Sequence, residues 1–425
     1  MKTAGTITIR MHTKRSGIKA FCIGVVALLW LTAIASLPAR AQGTYSLIHT
    51  FTSVPDGAYP NAVIQDAQGI LYGTTYAGGN HCSTASCGTI YKIDSSGNET
   101  VLFRFTGGTE GGFPKAALVE DFKGNLYGNT QGNGYVAYSV AFKLDTKGNY
   151  TVLYDFDTVG GHGCCQDSPL AIGKDGILYG MSPYDGQENC GYQGLGCGLL
   201  YKLTQSGVNT VIHVFKNSDG NQPEGGLVVD SDGSLYGTAI IGGDMSCSSI
   251  EGYNLGCGTI YKLDPKGNFT VLHTFTGKED GGAPLGLIQD SRGNLYGIAL
   301  SGGNSCINTR FGCGTIFKVD TAGKFSVIYR FTNAIKFPYF QSHLVIDSNG
   351  NLYGSNGYGG KEGRGFIFRV TTNREFSIIA SYPSNTNRKW GTVPQGIVRD
   401  SAGNFYGTMQ QGGADGVGTV FKVIP

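Results

Sequence analysis

Two registers of this chain carry residues that break a repeat in a chemically useful direction. Counting back four residues from a recurring aspartate (Asp66, Asp121, Asp175, Asp230, Asp290, Asp347, Asp400) gives Ala62, Ala117, Ala171, Gly226, Gly286, His343 and Gly396. Two residues earlier stand Pro60, Lys115, Pro169, Glu224, Pro284, Gln341 and Pro394. The exceptions are an imidazole (His343), a carboxylate (Glu224), an ammonium (Lys115) and an amide (Gln341). Gathered at one opening, the first three would be candidate catalytic groups for general acid–base work. The competing reading makes His343 a hydrogen-bonded packing residue and leaves Lys115 and Glu224 solvated. Strand periodicity does not fix the direction of a side chain at a strand's first residue, so both readings stay open.

Ligand-binding candidates come from segments added to the repeat. Residues 384–394 hold Arg388, Lys389 and Trp390, the last being the one tryptophan after residue 41. An indole beside cations can stack on a sugar or aromatic ring, and can equally anchor a loop. His162 and Asp167 flank the adjacent Cys164 and Cys165, and with Gln341 they complete the set. Tyr184, Asp185 and Glu188, and Lys361, Glu362 and Arg364, are further polar additions. DSDGS (230–234) resembles the start of a calcium loop, but DSRGN, DSNGN and DSAGN occupy the same hairpin without the second acid. Asn98, Asn149 and Asn268 match the glycosylation sequon at one repeat position, where Asn after Gly, with a β-branched Thr soon after in the strand, is turn grammar. No GxSxG, HExxH or phosphate-cradling loop is present, and neither a metal nor a cofactor is expected.

The elements that must position these residues form a repeated module. Tyr72, Tyr127, Tyr179, Tyr236, Tyr296, Tyr353 and Tyr406 mark a Leu/Phe-Tyr-Gly triplet recurring every 52 to 60 residues. The fifth copy shows four strand-like pieces: GLIQD (286–290), NLYGIA (294–299), GTIFKVD (314–320) and FSVIYRF (325–331). Alternating apolar residues bounded by Gly, Asn and Asp predict half-buried antiparallel strands. Tight hairpins join the first to the second and the third to the fourth, with Asp bonding the turn and Gly taking a positive φ. Seven such modules predict an all-β, seven-bladed β-propeller of four-stranded antiparallel blades. The last module stops one strand short, and YSLIHTF (45–51) matches the missing piece. The N-terminal strand is therefore expected to pair into the last blade and close the ring.

DSRGNLYG, the GG before a variable loop, GTIFKVD and FSVIYRF together resemble the GloVer tandem repeat, over essentially the whole chain after residue 41. The resemblance implies exported bacterial proteins with propeller-like arrays and varied C-terminal anchors, and it implies no particular activity. Val423-Ile424-Pro425 carry no sorting tail, so this chain is expected to depart from many members in lacking such an anchor.

In a propeller the short hairpins share one face, and the connections after strands two and four share the other. Segments 76–87, 184–197, 240–257 and 300–313 are the long, variable ones, so function is expected on that loop face. Four cysteine pairs fall inside those segments: Cys82 with Cys87, Cys190 with Cys197, Cys247 with Cys257 and Cys306 with Cys313. In an oxidising compartment they read as loop-closing disulfides; a zinc reading is disfavoured because the pairs sit on separate blades without CxxC spacing. Cys164 and Cys165 form either a vicinal disulfide or a reactive pair.

Residues 1–41 read as a signal peptide, with a basic start, an apolar run from Ala20 to Leu37 and Ala39-Arg40-Ala41 before Gln42, leaving 42–425 as a single propeller domain. Loss of its six basic residues leaves 26 Lys and Arg against 30 Asp and Glu. That balance argues against nucleic acid as a partner, and no later stretch is apolar enough to span a membrane. The expectation is an exported monomer, extracellular or periplasmic, whose loop face binds a carbohydrate or cell-envelope polymer. The alternatives are a polysaccharide hydrolase or lyase at the channel mouth, and a structural or protein-interaction scaffold.

Overall fold

Most Asp-x-x-Gly segments close their hairpins through the first aspartate, as their chemistry requires; in blade 4 Asp232 takes that part, accepting the Ser234 amide at 2.8 Å. In blade 5, Asp290 Oδ1 accepts the Arg292 and Asn294 amides, both at 2.9 Å, while Oδ2 accepts Asn294 Nδ2 at 2.8 Å and Tyr296 Oη at 3.1 Å. Gly293 completes the turn at a φ of +86°. The structure, a computed structural model, describes residues 43–79, 87–132, 138–156, 168–186, 190, 195–247, 255–305, 312–332, 344–384 and 391–425.

Among the described residues, seven antiparallel sheets follow one another, each blade running from strand one inward to strand four outward. The chain is a seven-bladed β-propeller. Ring closure follows the predicted route: Thr44–Thr50 pairs antiparallel with Thr419–Ile424 and becomes the outer strand of blade 7.

The triplet glycine of strand two is a seat for an aromatic ring of strand three. A Cβ on Gly237 would lie 2.3 Å from Tyr261 Oη, and one on Gly297 would lie 2.4 Å from Phe317 Cζ. Glycine weakens a strand, and here that weakness is offset by letting a fully buried ring lie across the sheet. Between blades, outer strands meet through stacked rings: Phe103 on Tyr150 (3.9 Å between centroids), His213 on Phe269 (3.7 Å), His273 on Phe325 (3.7 Å) and Tyr329 on Phe376 (5.1 Å).

Strand one differs from its expected length. Blades 4, 5 and 7 extend it to Asn221–Val229, Gly282–Gln289 and Thr392–Arg399, whereas among the described residues blades 2, 3 and 6 show Val119–Glu120, Ala171–Ile172 and Val345–Ile346. Blade 1 splits it into Ala58–Pro60 and Ile64–Gln65. A junction before strand one, which the repeat spacing alone does not show, recurs in blades with both long and short first strands. The residue before the proline adopts a left-handed φ at Tyr59, Phe113, Gln222, Ala283 and Val393. In four of these its N–H crosses to the preceding blade: Tyr59 to Val417 O (2.6 Å), Phe113 to Cys87 O (2.8 Å), Gln222 to Cys197 O (3.0 Å) and Ala283 to Cys257 O (2.8 Å). The strained backbone is held by these bonds.

Candidate functional site

In four blades the proline that follows the junction residue wedges against the glycine opening strand three of the preceding blade. A Cβ on Gly418 would meet Pro60 Cδ at 2.2 Å, one on Gly198 would meet Pro223 Cδ at 2.3 Å, and one on Gly258 would meet Pro284 Cδ at 2.5 Å. Pro114 faces Gly88 in the same way, at 3.1 Å.

This geometry corrects the sequence register. Lys115 and Glu224 do not replace the proline; Pro114 and Pro223 hold that position, and each charged residue comes one step later. Pro223 pairs with Ala239 as Pro284 pairs with Ala299, and the ladder of blade 4 slips between Glu224 and Val228 to absorb one extra residue. Glu224 stands opposite Thr238, whose hydroxyl donates to Glu224 O at 3.2 Å and accepts the Gly286 amide of blade 5 at 3.1 Å. Lys115 is exposed on blade 2 and Glu224 half-buried on blade 4, with blade 3 between them. Small residues near the axis do have a packing cause: a Cβ on Gly225 would strike Gly286 N at 2.3 Å, and one on Gly226 would lie 3.0 Å from Pro169 Cγ.

His343, Gln341, Arg388, Lys389, Trp390, His162, Asp167 and Glu188 lie outside the described residues, as do Cys82, Cys164, Cys165 and Cys306. Two expected disulfides are present, Cys190–Cys197 and Cys247–Cys257. Cys87 and Cys313 are also disulfide-bonded. Their placement adds something the spacing did not reveal: Cys87, Cys197 and Cys257 are fully buried, and their carbonyls accept the inter-blade junction bonds. The bridges thus tie the loop face to the seams between blades.

Asp185 and Tyr184 serve their own loop. Asp185 accepts the Ser182 hydroxyl, its carbonyl accepts the Gly198 amide at 2.8 Å, and the Tyr184 carbonyl accepts the Gly196 amide at 2.9 Å.

A cavity of about 250 Å³ opens on the loop face between blades 6 and 7, lined by Gly357, Tyr358, Gly363, Arg364, Thr392 and Val393. Tyr358 is 47% exposed and Arg364 is exposed. A phenol face, a guanidinium and a hydroxyl around a small opening suit a sugar ring bearing hydroxyl or carboxylate groups. Arg364 is among the polar additions that the sequence singles out, whereas Tyr358, Thr392 and Val393 are not; the aromatic inside the glycine run 357–360 is the signal in the sequence that points to the opening. A larger cavity of about 760 Å³ lies on the hairpin face between blades 4 and 5. Its carboxylates include Asp232 and Asp290, which are already hydrogen-bonded within their turns, and a similar groove recurs between blades 7 and 1. It is a by-product of the hairpin array rather than a differentiated site.

Residues 37–193 and 193–421 match the Gloeobacter/Verrucomicrobia repeat. The chain belongs to that family. Among curated proteins, none matches it in sequence. This chain shares its fold with virginiamycin B lyase from Staphylococcus aureus, solved in a catalytically inactive form with quinupristin. The TM-score is 0.57 at 14% identity, over 90% of this chain and 100% of that one. Extracellular domains assigned to two hybrid two component systems of B. thetaiotaomicron are also similar. Their TM-scores are 0.52 at 14% identity and 0.53 at 12%, over 90% and 89% of this chain. The chain spans only 41% and 39% of those proteins. Identities this low carry the fold and no activity.

Proposed function

We propose that this repeat protein is exported after loss of residues 1–41 and binds an extracellular carbohydrate or cell-envelope polymer on its loop face. The observation that carries the reading is the Tyr358–Arg364 opening, set on a face whose loops are tied to the blade seams by buried disulfides. The hairpin face repeats one turn, whereas the loop face is different in every blade, which is where selectivity for a ligand can reside. The disulfides and the likeness to extracellular sensor domains support export. A monomer suffices, because the opening is formed within one chain.

The test is retention of purified protein on a panel of polysaccharides and envelope polymers, with product release measured in parallel. Retention that disappears in the Tyr358→Ala, Arg364→Ala double variant supports binding at this opening. Product release abolished by Glu224→Gln would replace the binding reading with a hydrolase or lyase. Neither retention nor release on any polymer would leave a scaffold.

A further inference from the structure

The seam that closes the ring is built differently from the seams that blades 4 and 5 make with the blade before them. Strand four of blades 4 and 5 begins with an aromatic residue, Phe269 and Phe325, on which a histidine of the preceding outer strand stacks nearly parallel, at 5° and 3°. Those histidines, His213 and His273, also pack edge-on against Phe215 and Phe275 two residues later and pair with Asp219 and Asp280. His49, on the closing strand Thr44–Thr50, repeats this environment. Its ring stands edge-on to Phe51 at 4.7 Å, and its Nε2 lies 3.2 Å from Asp56 Oδ2. Opposite it, however, the first residue of strand four in blade 1 is Glu99.

A carboxyl therefore occupies the place of a stacking ring. Glu99 is half-buried, and its Oε1 is inaccessible to solvent without a hydrogen-bond partner among the described residues. The titratable and charged groups facing it are His49 from the closing strand, Asp56 from the following turn, Arg104 from its own strand and Tyr91 from strand three. Arg104 Nε is engaged with Pro55 O at 3.2 Å, and the hydroxyl of Tyr91 is buried without a partner. Asp56 is held by the Thr52 amide and hydroxyl as well as by His49.

We infer that Glu99 makes the closing seam a proton-operated latch, tight while its carboxyl is neutral and loosened when the carboxyl ionises beside Asp56. A neutral carboxyl tolerates a semi-buried site, whereas a carboxylate there is desolvated, lacks a donor at Oε1 and faces a second carboxylate. Burial, the largest influence, pushes Glu99 up to about 7, with Asp56 adding to the rise and His49 and Arg104 opposing it. The sign follows: a raised acid contributes stability that is fully present below the ordinary glutamate range and lost as pH rises through about 7. Asp56 is shifted the other way, so its contribution changes only below the usual carboxylate range and outside this window. The strand affected is the one whose pairing converts an open array into a ring.

Amide hydrogen exchange of Thr44–Thr50 in the purified protein, corrected for intrinsic exchange, tests the latch between pH 5 and pH 8. Tyr150–Asp155 serves as reference, because its seam is the Phe103–Tyr150 stack and contains no histidine. Protection of the closing strand relative to the reference is expected to fall by about tenfold across that range, an effect already reduced for the solvent access of Glu99. Glu99→Gln should hold the high protection at both pH values, and Glu99→Phe, which restores a stacking ring, should do the same. A constant ratio in the unaltered protein, or an undiminished drop in both variants, would overturn the inference. Carbon NMR of the Glu99 carboxyl in the unaltered protein is an independent arm, and titration in the ordinary glutamate range would also sink it.

Discussion

Pro223 is wedged against Gly198 across the seam between blades 3 and 4, so closely that a Cβ on the glycine would lie 2.3 Å from the proline Cδ. The same contact joins Pro284 to Gly258 and, where the ring closes, Pro60 to Gly418. Blades are thus locked at the loop face by a Gly–Pro contact, beside a junction residue in the left-handed region.

Replacing that glycine should be costly for two separable reasons. Gly198→Ala meets both a φ of +100° and the proline ring, whereas Gly267→Ala meets a φ of +87° with open space around it. Expected losses are about 3 kcal/mol for Gly198→Ala and about 1 kcal/mol for Gly267→Ala. Urea midpoints of the two variants check this; equal losses would show that the Gly–Pro contact is unimportant.

The bridge between Cys247 and Cys257 closes a short loop, with a sequence separation of 10. Its removal by paired Cys→Ser substitution should cost roughly 2.5 kcal/mol. Since Cys257 O accepts the Ala283 amide at 2.8 Å, exchange of that amide should accelerate more than exchange of the Asp290 turn. Unchanged Ala283 protection would mean that the bridge acts only through the unfolded chain.

Acid should unfold the protein through its turns. Burial works to raise the Asp290 carboxyl, but bonds from Asn294, Arg292 and Tyr296 outweigh it and hold it below the ordinary range; Asp121, Asp347 and Asp400 are alike. A depressed carboxylate contributes stability above its unfolded value and loses it as pH falls through the folded one. Denaturant midpoints should therefore drop steeply only below about pH 4. Asp290→Asn should lose about 1 kcal/mol at neutral pH and make the acid limb shallower. A limb of unchanged steepness would contradict this assignment.

At the loop-face opening, Tyr358→Ala and Arg364→Ala should each weaken polymer retention by about tenfold while leaving the melting temperature within about 2 °C, because both side chains are exposed. Isothermal titration beside thermal melts distinguishes lost binding from lost fold. A large fall in melting temperature would make these residues structural.

Much of the architecture was legible because it rests on local chemistry repeated seven times. Asp-x-x-Gly specifies a hairpin wherever it occurs, alternation specifies a half-buried strand, and a missing last strand matched to YSLIHTF leaves one way to close the ring. The candidate site was read less well. Counting back from the turn places Lys115 and Glu224 in the proline register, and a single extra residue in blades 2 and 4 moves them off it. Counting assumes an unbroken ladder, whereas a bulge is decided by what packs on either side.

The sequence by itself determined the blade, its number and its closing strand, since each depends on contacts between residues close along the chain or on a repeat that announces itself. Only the tertiary structure decided that Cys197 and Cys257 sit at inter-blade hydrogen bonds, that Tyr358 and Thr392 share one opening, and that Glu99 stands where blades 4 and 5 place a ring stacked on histidine. Those relations join different blades, and their distances depend on how the blades pack. No spacing along the chain encodes them.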